Sequence, residues 1–244
     1  MHSTARRAAA LLGALTLSLG ATACSTSEPT ATSTGSAAAS TSSAPAPKAA
    51  EVVEKAKATS LAATSGAFSG EVKEGGESMK IDFKGTKDGS MSDITIDMGA
   101  TGKVRLLSVE GSVFMQGDAA FWKAQGAPAE VQAAGDKFIK APADEAESIT
   151  GDLTIASFLD EAFTELTPES LDDKVGEESV NGVDCWVVTD KKGKQEGALY
   201  VSKDKMELVR FAGSTDSPGQ IDFTDWNADL GIKAPAADQI MDVS

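Results

Sequence analysis

Between residues 78 and 115 apolar and polar positions alternate with a period of two. Met79, Ile81 and Phe83 alternate with Lys80, Asp82 and Lys84. After an Asp88-Gly89 turn, Ile94, Ile96 and Met98 alternate with Thr95 and Asp97, and Val104 to Leu107 is separated from Val113 to Met115 by Glu110-Gly111. Short Gly-containing turns between alternating runs predict antiparallel strands with one apolar and one polar face. A second meander is predicted from Val183 to Thr189, Gly197 to Val201, Leu208 to Phe211 and Gln220 to Phe223, opened by the Asn181-Gly182 hairpin signal.

Elsewhere the period is helical. Val52, Val53, Ala56 and Leu61 predict an amphipathic helix ending near Gly66. From Leu153 to Leu166, Ile155, Phe158, Leu159, Ala162 and Phe163 fall at three-and-four spacing, a strongly amphipathic helix stopped by Thr167-Pro168. Between the meanders, Ala119 to Trp122, Glu130 to Ala133 and Asp136 to Ile139 read as short helical or irregular pieces carrying aromatics. The order helix, meander, helical insertion, meander predicts an α+β domain. A long antiparallel sheet twists and curls, so the expected form is a single strongly curved antiparallel sheet, a half-barrel, with helices packed on its concave face.

The first fifty residues follow no such pattern. Arg6 and Arg7, an apolar run from Ala8 to Leu19 and small residues up to Ala23 form a secretory signal, residues 1–23. Cys24 stands directly after the expected cut, as in a bacterial lipoprotein signal, and would carry the lipid as the mature N-terminus. Ala21 occupies the position where such signals usually place Leu. The alternative is an ordinary secreted protein cut near Ala23. Residues 24–49 are nearly all Ser, Thr, Ala and Pro, too poor in large apolar groups to order themselves, and read as a disordered tether. Residues 50–244 remain as one globular domain, placed at the extracytoplasmic face of the cell membrane.

Charge and composition narrow the function. The chain has 22 Lys+Arg and 37 Asp+Glu; loss of Arg6 and Arg7 leaves 20 basic residues and a net charge of −17. Such a surface repels nucleic acid. The only histidine, His2, goes with the signal. Its loss leaves no Ser-His-Asp or Cys-His catalysis and no histidine metal site. No phosphate loop, CxxC pair or calcium-loop spacing is present either. The expectation is a monomeric non-enzyme without metal or cofactor. With Cys24 lipidated, Cys185 has no partner and reads as a buried free thiol.

Three segments carry a family resemblance: Val180-Asn181-Gly182-Val183-Asp184-Cys185-Trp186-Val187-Val188, the run from Leu199 to Arg210, and the closing Ile221-Asp222-Phe223-Thr224-Asp225-Trp226. With the signal and tether they resemble actinobacterial lipoproteins of the LppX/LprG lipid-carrier group, similar in fold to the periplasmic carrier LolA. The resemblance implies an apolar cavity between sheet and helices that takes acyl chains, with a lipid or acylated molecule as partner. Candidate lining residues on the sheet are Ile81, Phe83, Ile94, Ile96, Leu106, Met115, Val187 and Val201, joined by Phe158 and Phe163 from the 153–166 helix. All of these also suit a filled core. Phe114, Phe121, Trp122 and Phe138 form a second aromatic set, either a cavity entrance, a docking site for a partner, or a local mini-core. The rival function is a protein-interaction or sensory lipoprotein with a filled core and an envelope protein as partner.

Overall fold

The alternating segments are strands of one sheet. The computed structural model describes residues 45–74, 77–142, 154–164 and 166–241. The signal segment, Cys24, most of the tether and Leu153 lie outside the described residues. In the first half, β1 (Ser65–Glu74), β2 (Glu77–Thr86), β3 (Met91–Asp97), β4 (Lys103–Val109), β5 (Ser112–Gly117) and β6 (Phe138–Lys140) pair in succession. In the second half, β7 (Gly176–Val180), β8 (Val183–Val188), β9 (Ala198–Ser202), β10 (Leu208–Ala212) and β11 (Gly219–Thr224) do the same, and β12 (Ile240–Met241) closes the chain. The described residues form a single open antiparallel sheet of twelve strands, in the order β12-β6-β5-β4-β3-β2-β1-β11-β10-β9-β8-β7. Only β12 runs parallel to its neighbour, β6.

Two expectations change. The first helix, α1 (Ala49–Ala62), stops before Gly66, which instead belongs to β1. With only Ala67, Phe68 and Val72 as apolar residues, β1 carries too weak an alternation to announce itself. It is nevertheless the join between the meanders, with β2 on one side and β11 on the other. The backbones approach closely there: a Cβ at Gly219 would lie 2.5 Å from the Glu71 carbonyl oxygen, and one at Gly70 would lie 2.8 Å from Ile221 Cα. Only glycine fits both positions without displacing the neighbouring strand. The second change is at Phe138, expected in an irregular piece but found in β6 against β5.

The turns follow their residues. Asn181 and Gly182 have φ of 52° and 81°, and Glu110 and Gly111 have 51° and 76°. Successive positive φ values give the primed turn that matches the twist of a two-residue hairpin.

Register divides the side chains between two faces. Phe223, Phe68, Phe83, Ile94, Leu106 and Met115 lie directly opposite one another on β11, β1, β2, β3, β4 and β5. One residue along, Asp222, Ser69, Asp82, Thr95, Arg105 and Gln116 form the matching row on the other face. α1 and α4 (Ile155–Thr164) pack on the apolar face, called inner below. From α1, Val52 and Ala56 are fully buried, and Ser60 Oγ accepts a 3.3 Å hydrogen bond from the Leu208 backbone N–H. From α4, Ile155, Leu159 and Phe163 enter the same core at four-residue spacing. Thr154 begins α4, its Oγ1 accepting from the Ser157 N–H at 3.0 Å.

Candidate functional site

The inner face differs along its length. At its centre Phe68 lies between Phe83 and Phe158, with ring centroids 4.7 and 4.4 Å away, and Phe223 stands 5.6 Å off. Stacked rings at these separations leave little room between them. Toward β5 the packing loosens: Ile81, Ile96, Leu106 and Met115 are all only partly buried. Beyond them α2 (Ala119–Ala124) and α3 (Ala129–Gln132) form a small second core, where Phe121 and Trp122 pack on Val104. Asp118 caps α2, accepting from the Phe121 N–H at 2.8 Å and from the Lys103 N–H at 3.0 Å. Trp122 Nε1 is buried and, among the described residues, has no hydrogen-bond partner.

Most sequence-derived lining candidates therefore meet on this face. Phe83, Ile94, Phe163 and Val201 lie buried in the main core, with Ile81 and Phe158 packed at its edge. Ile96 and Leu106 bridge that core to the second one, which Met115 joins. Val187 is a correction. It pairs with Tyr200, whereas Val201 pairs with Trp186, so Val187 and Val201 face opposite ways. Val187 packs with Cys185, Tyr200 and Val209 on the outer side. The run from Val183 to Val188 lacks alternation because β8 is covered on both faces, so its parity is not visible in sequence. Cys185 is fully buried there, and burial pushes its thiol up, away from the reactive thiolate.

The second aromatic set is split by the sheet. Phe121 and Trp122 belong to the inner side, while Phe114 and Phe138 pack with Leu107 and Val109 on the outer side, under Ile232 and Ile240 of the C-terminal segment.

Between the two outer apolar clusters the outer face is polar, and a cleft of about 900 Å³ opens on it. Its floor is built from Ala67, Ser69, Asp82, Thr95 and Arg105; residues 132–136 rise along one side. Gly135, at φ 60°, turns this segment, and Gln116 Nε2 donates 2.6 Å to the Asp136 carbonyl to pin it. Arg105 grips Asp93 through two hydrogen bonds of 2.8 Å, from Nε and Nη2 to the two carboxylate oxygens. Its guanidinium also lies 5.6 Å from the Phe138 ring centroid. Burial pushes the Asp93 carboxyl up, but hydrogen bonds and charge from Arg105, helped by Lys84 at 3.5 Å, outweigh it and hold the group below its ordinary value. The cleft is not legible in the sequence, because its residues alternate with the core and look like ordinary solvated positions.

Among the described residues no helix is long and apolar enough to cross a membrane, and no cluster of acidic, histidine or cysteine side chains could hold a metal ion. No family model matches the sequence, and no curated protein matches it. Among solved structures it is similar to LprF from Mycobacterium bovis, with TM-score 0.49 and 11% identity over 78% of this chain and 97% of that one. It is also similar to the Mycobacterium tuberculosis lipoprotein LppX, with TM-score 0.44 and 11% identity over 76% of this chain and 98% of that one. A third similar structure, an uncharacterized conserved protein from Thermus thermophilus, has TM-score 0.38 and 10% identity over 79% of this chain and 96% of that one.

Proposed function

We propose that this chain is an envelope lipoprotein, anchored at the extracytoplasmic face through lipid on Cys24, whose monomeric domain carries an acyl chain along the inner face of the sheet. The carrying observation is the strip of large apolar side chains from Phe158 through Ile81, Ile96 and Leu106 to Met115, which the helices cover only in part. A contiguous apolar strip left partly open is where an apolar ligand gains most. Each buried methylene contributes about 0.8 kcal/mol. The Trp122 N–H near the far end of the strip, without a partner among the described residues, is a donor suited to an ester or headgroup oxygen. In this reading the helices lie on the concave face of a curved sheet, and no bond of the ligand is made or broken.

Intact-mass analysis of the mature protein, followed by lipid extraction, tests both parts. A diacylglyceryl mass on Cys24 and a co-purifying lipid are expected, with lipid recovery falling in Leu106→Glu. A domain that stays lipid-free and takes up no pyrene-labelled fatty acid overturns the carrier reading. The stacked rings around Phe68 favour a second reading, a filled core with a protein-binding surface. That reading expects no lipid and a cross-link to one envelope protein.

A further inference from the structure

The outer cleft lies on the opposite face of the sheet from the proposed acyl strip and is unlike it in every chemical respect. Solvated faces of antiparallel sheets are ordinarily open; here residues 132–136 wall one side and give a concavity of about 900 Å³. That is within the size range of small-molecule sites. Small residues on its floor, Ala67 and Ser69, leave the room.

The charges in the cleft are largely committed to each other. Arg105 and Lys84 both address Asp93, and Asp118 is occupied by backbone N–H groups. Among the described residues, the side chains of Ser69, Asp82, Thr95 and Lys103 find no hydrogen-bond partner. The free groups are therefore two hydroxyls, one ammonium and the Asp82 carboxylate, spread over four adjacent strands, with the Asp136 carboxylate on the side wall. Phosphate would meet Asp82 and Asp136 with its main cations already taken. Among the described residues a nucleobase would find no ring to stack on, since Phe68 and Phe83 turn their side chains to the inner face. A hydroxyl-rich neutral molecule suits the set, because every hydroxyl both donates and accepts and meets carboxylate, ammonium and hydroxyl alike.

We propose that the outer cleft is a saccharide-binding site, with Asp82 as the principal acceptor, Lys103 as donor, and Ser69 and Thr95 as the hydroxyl contacts on its floor. The Arg105–Asp93 pair positions the site by holding β3 and β4 side chains in a fixed array. The site would let the domain hold a glycan on one face independently of what its other face carries.

Calorimetric titration of the full mature protein with maltotriose, mannotriose and chitotriose tests the assignment, with inorganic phosphate and the dipeptide Gly-Glu as the other arms. At least one trisaccharide is expected to bind saturably. Asp82→Ala should weaken it at least tenfold, and Ser69→Trp, which fills the floor, should abolish it. Asp82 and Ser69 are exposed, so the melting temperature should hold in Asp82→Ala, and that variant stands as the test if Ser69→Trp does not fold. Uptake of a pyrene-labelled fatty acid should be the same in both variants as in the parent, which separates this site from the acyl strip. Saturable binding of phosphate or Gly-Glu in place of any sugar overturns the proposal, as does failure of all three sugars or binding indifferent to Asp82→Ala.

Discussion

The two faces of this sheet are built from alternate residues of the same strands, yet they are held by different physics. Ser69 and Phe68 are neighbours in β1. Phe68 meets three other rings, while Ser69 sits in a row of aspartate, threonine, arginine and glutamine. The inner face is stabilised by volume, which tolerates little change in shape. The outer face is stabilised by pairing, which is geometric where Arg105 grips Asp93 and Arg210 grips Asp222 and loose elsewhere. A mutation's cost should therefore depend more on its parity along the strand than on its distance from the centre.

The largest break in that contrast should come from Phe68→Ala. Removing the ring at the middle of the stack should cost about 3–5 kcal/mol in urea unfolding, with the m-value unchanged. Gly219→Val adds volume where the β1 backbone leaves none to spare and should cost about 1–3 kcal/mol. A melting temperature no lower than that of the parent would show that the β1–β11 seam can spread.

On the outer face, Arg105→Leu leaves Asp93, whose side chain is only 11% exposed, without its main partner. Because the arginine is 41% exposed, the expected loss near neutrality is about 1–2 kcal/mol. Asp93 is held below its ordinary value when folded, so its contribution is present above the unfolded value and lost as pH falls through the folded one. The difference between parent and variant should accordingly shrink on acidification; one that grows would contradict the assignment. The smallest effect belongs to Lys192→Ala, which removes an exposed pair with Glu196 at 3.3 Å and should change stability by less than about 0.5 kcal/mol.

Much of this arrangement is legible in the residues, and the exceptions have physical causes. The alternation of β2 to β5, the Asn181-Gly182 turn and the four-residue spacing of α4 each follow from a strong local period. β1 is not legible because its two glycines and its serines answer to a strand far away in sequence. Val187 is not legible because burial on both faces erases the period that would orient it. The apolar strip emerges from inward parity, whereas the outer cleft depends on how residues 132–136 fold back across the sheet, which no local period encodes.

Finally, the β1–β11 pairing sets an order of events. Phe68 and its partner Phe223 stand almost at opposite ends of the domain. As the chain emerges, β1 can pair with β2 at once, but its other edge stays open until the last long strand arrives. Pairings so far apart in sequence fold slowly, and an open edge invites association with other chains. A nascent or truncated chain ending before Gly219 should therefore behave as a sticky half-sheet, and the two glycines that let β11 slide in close decide how soon that exposure ends.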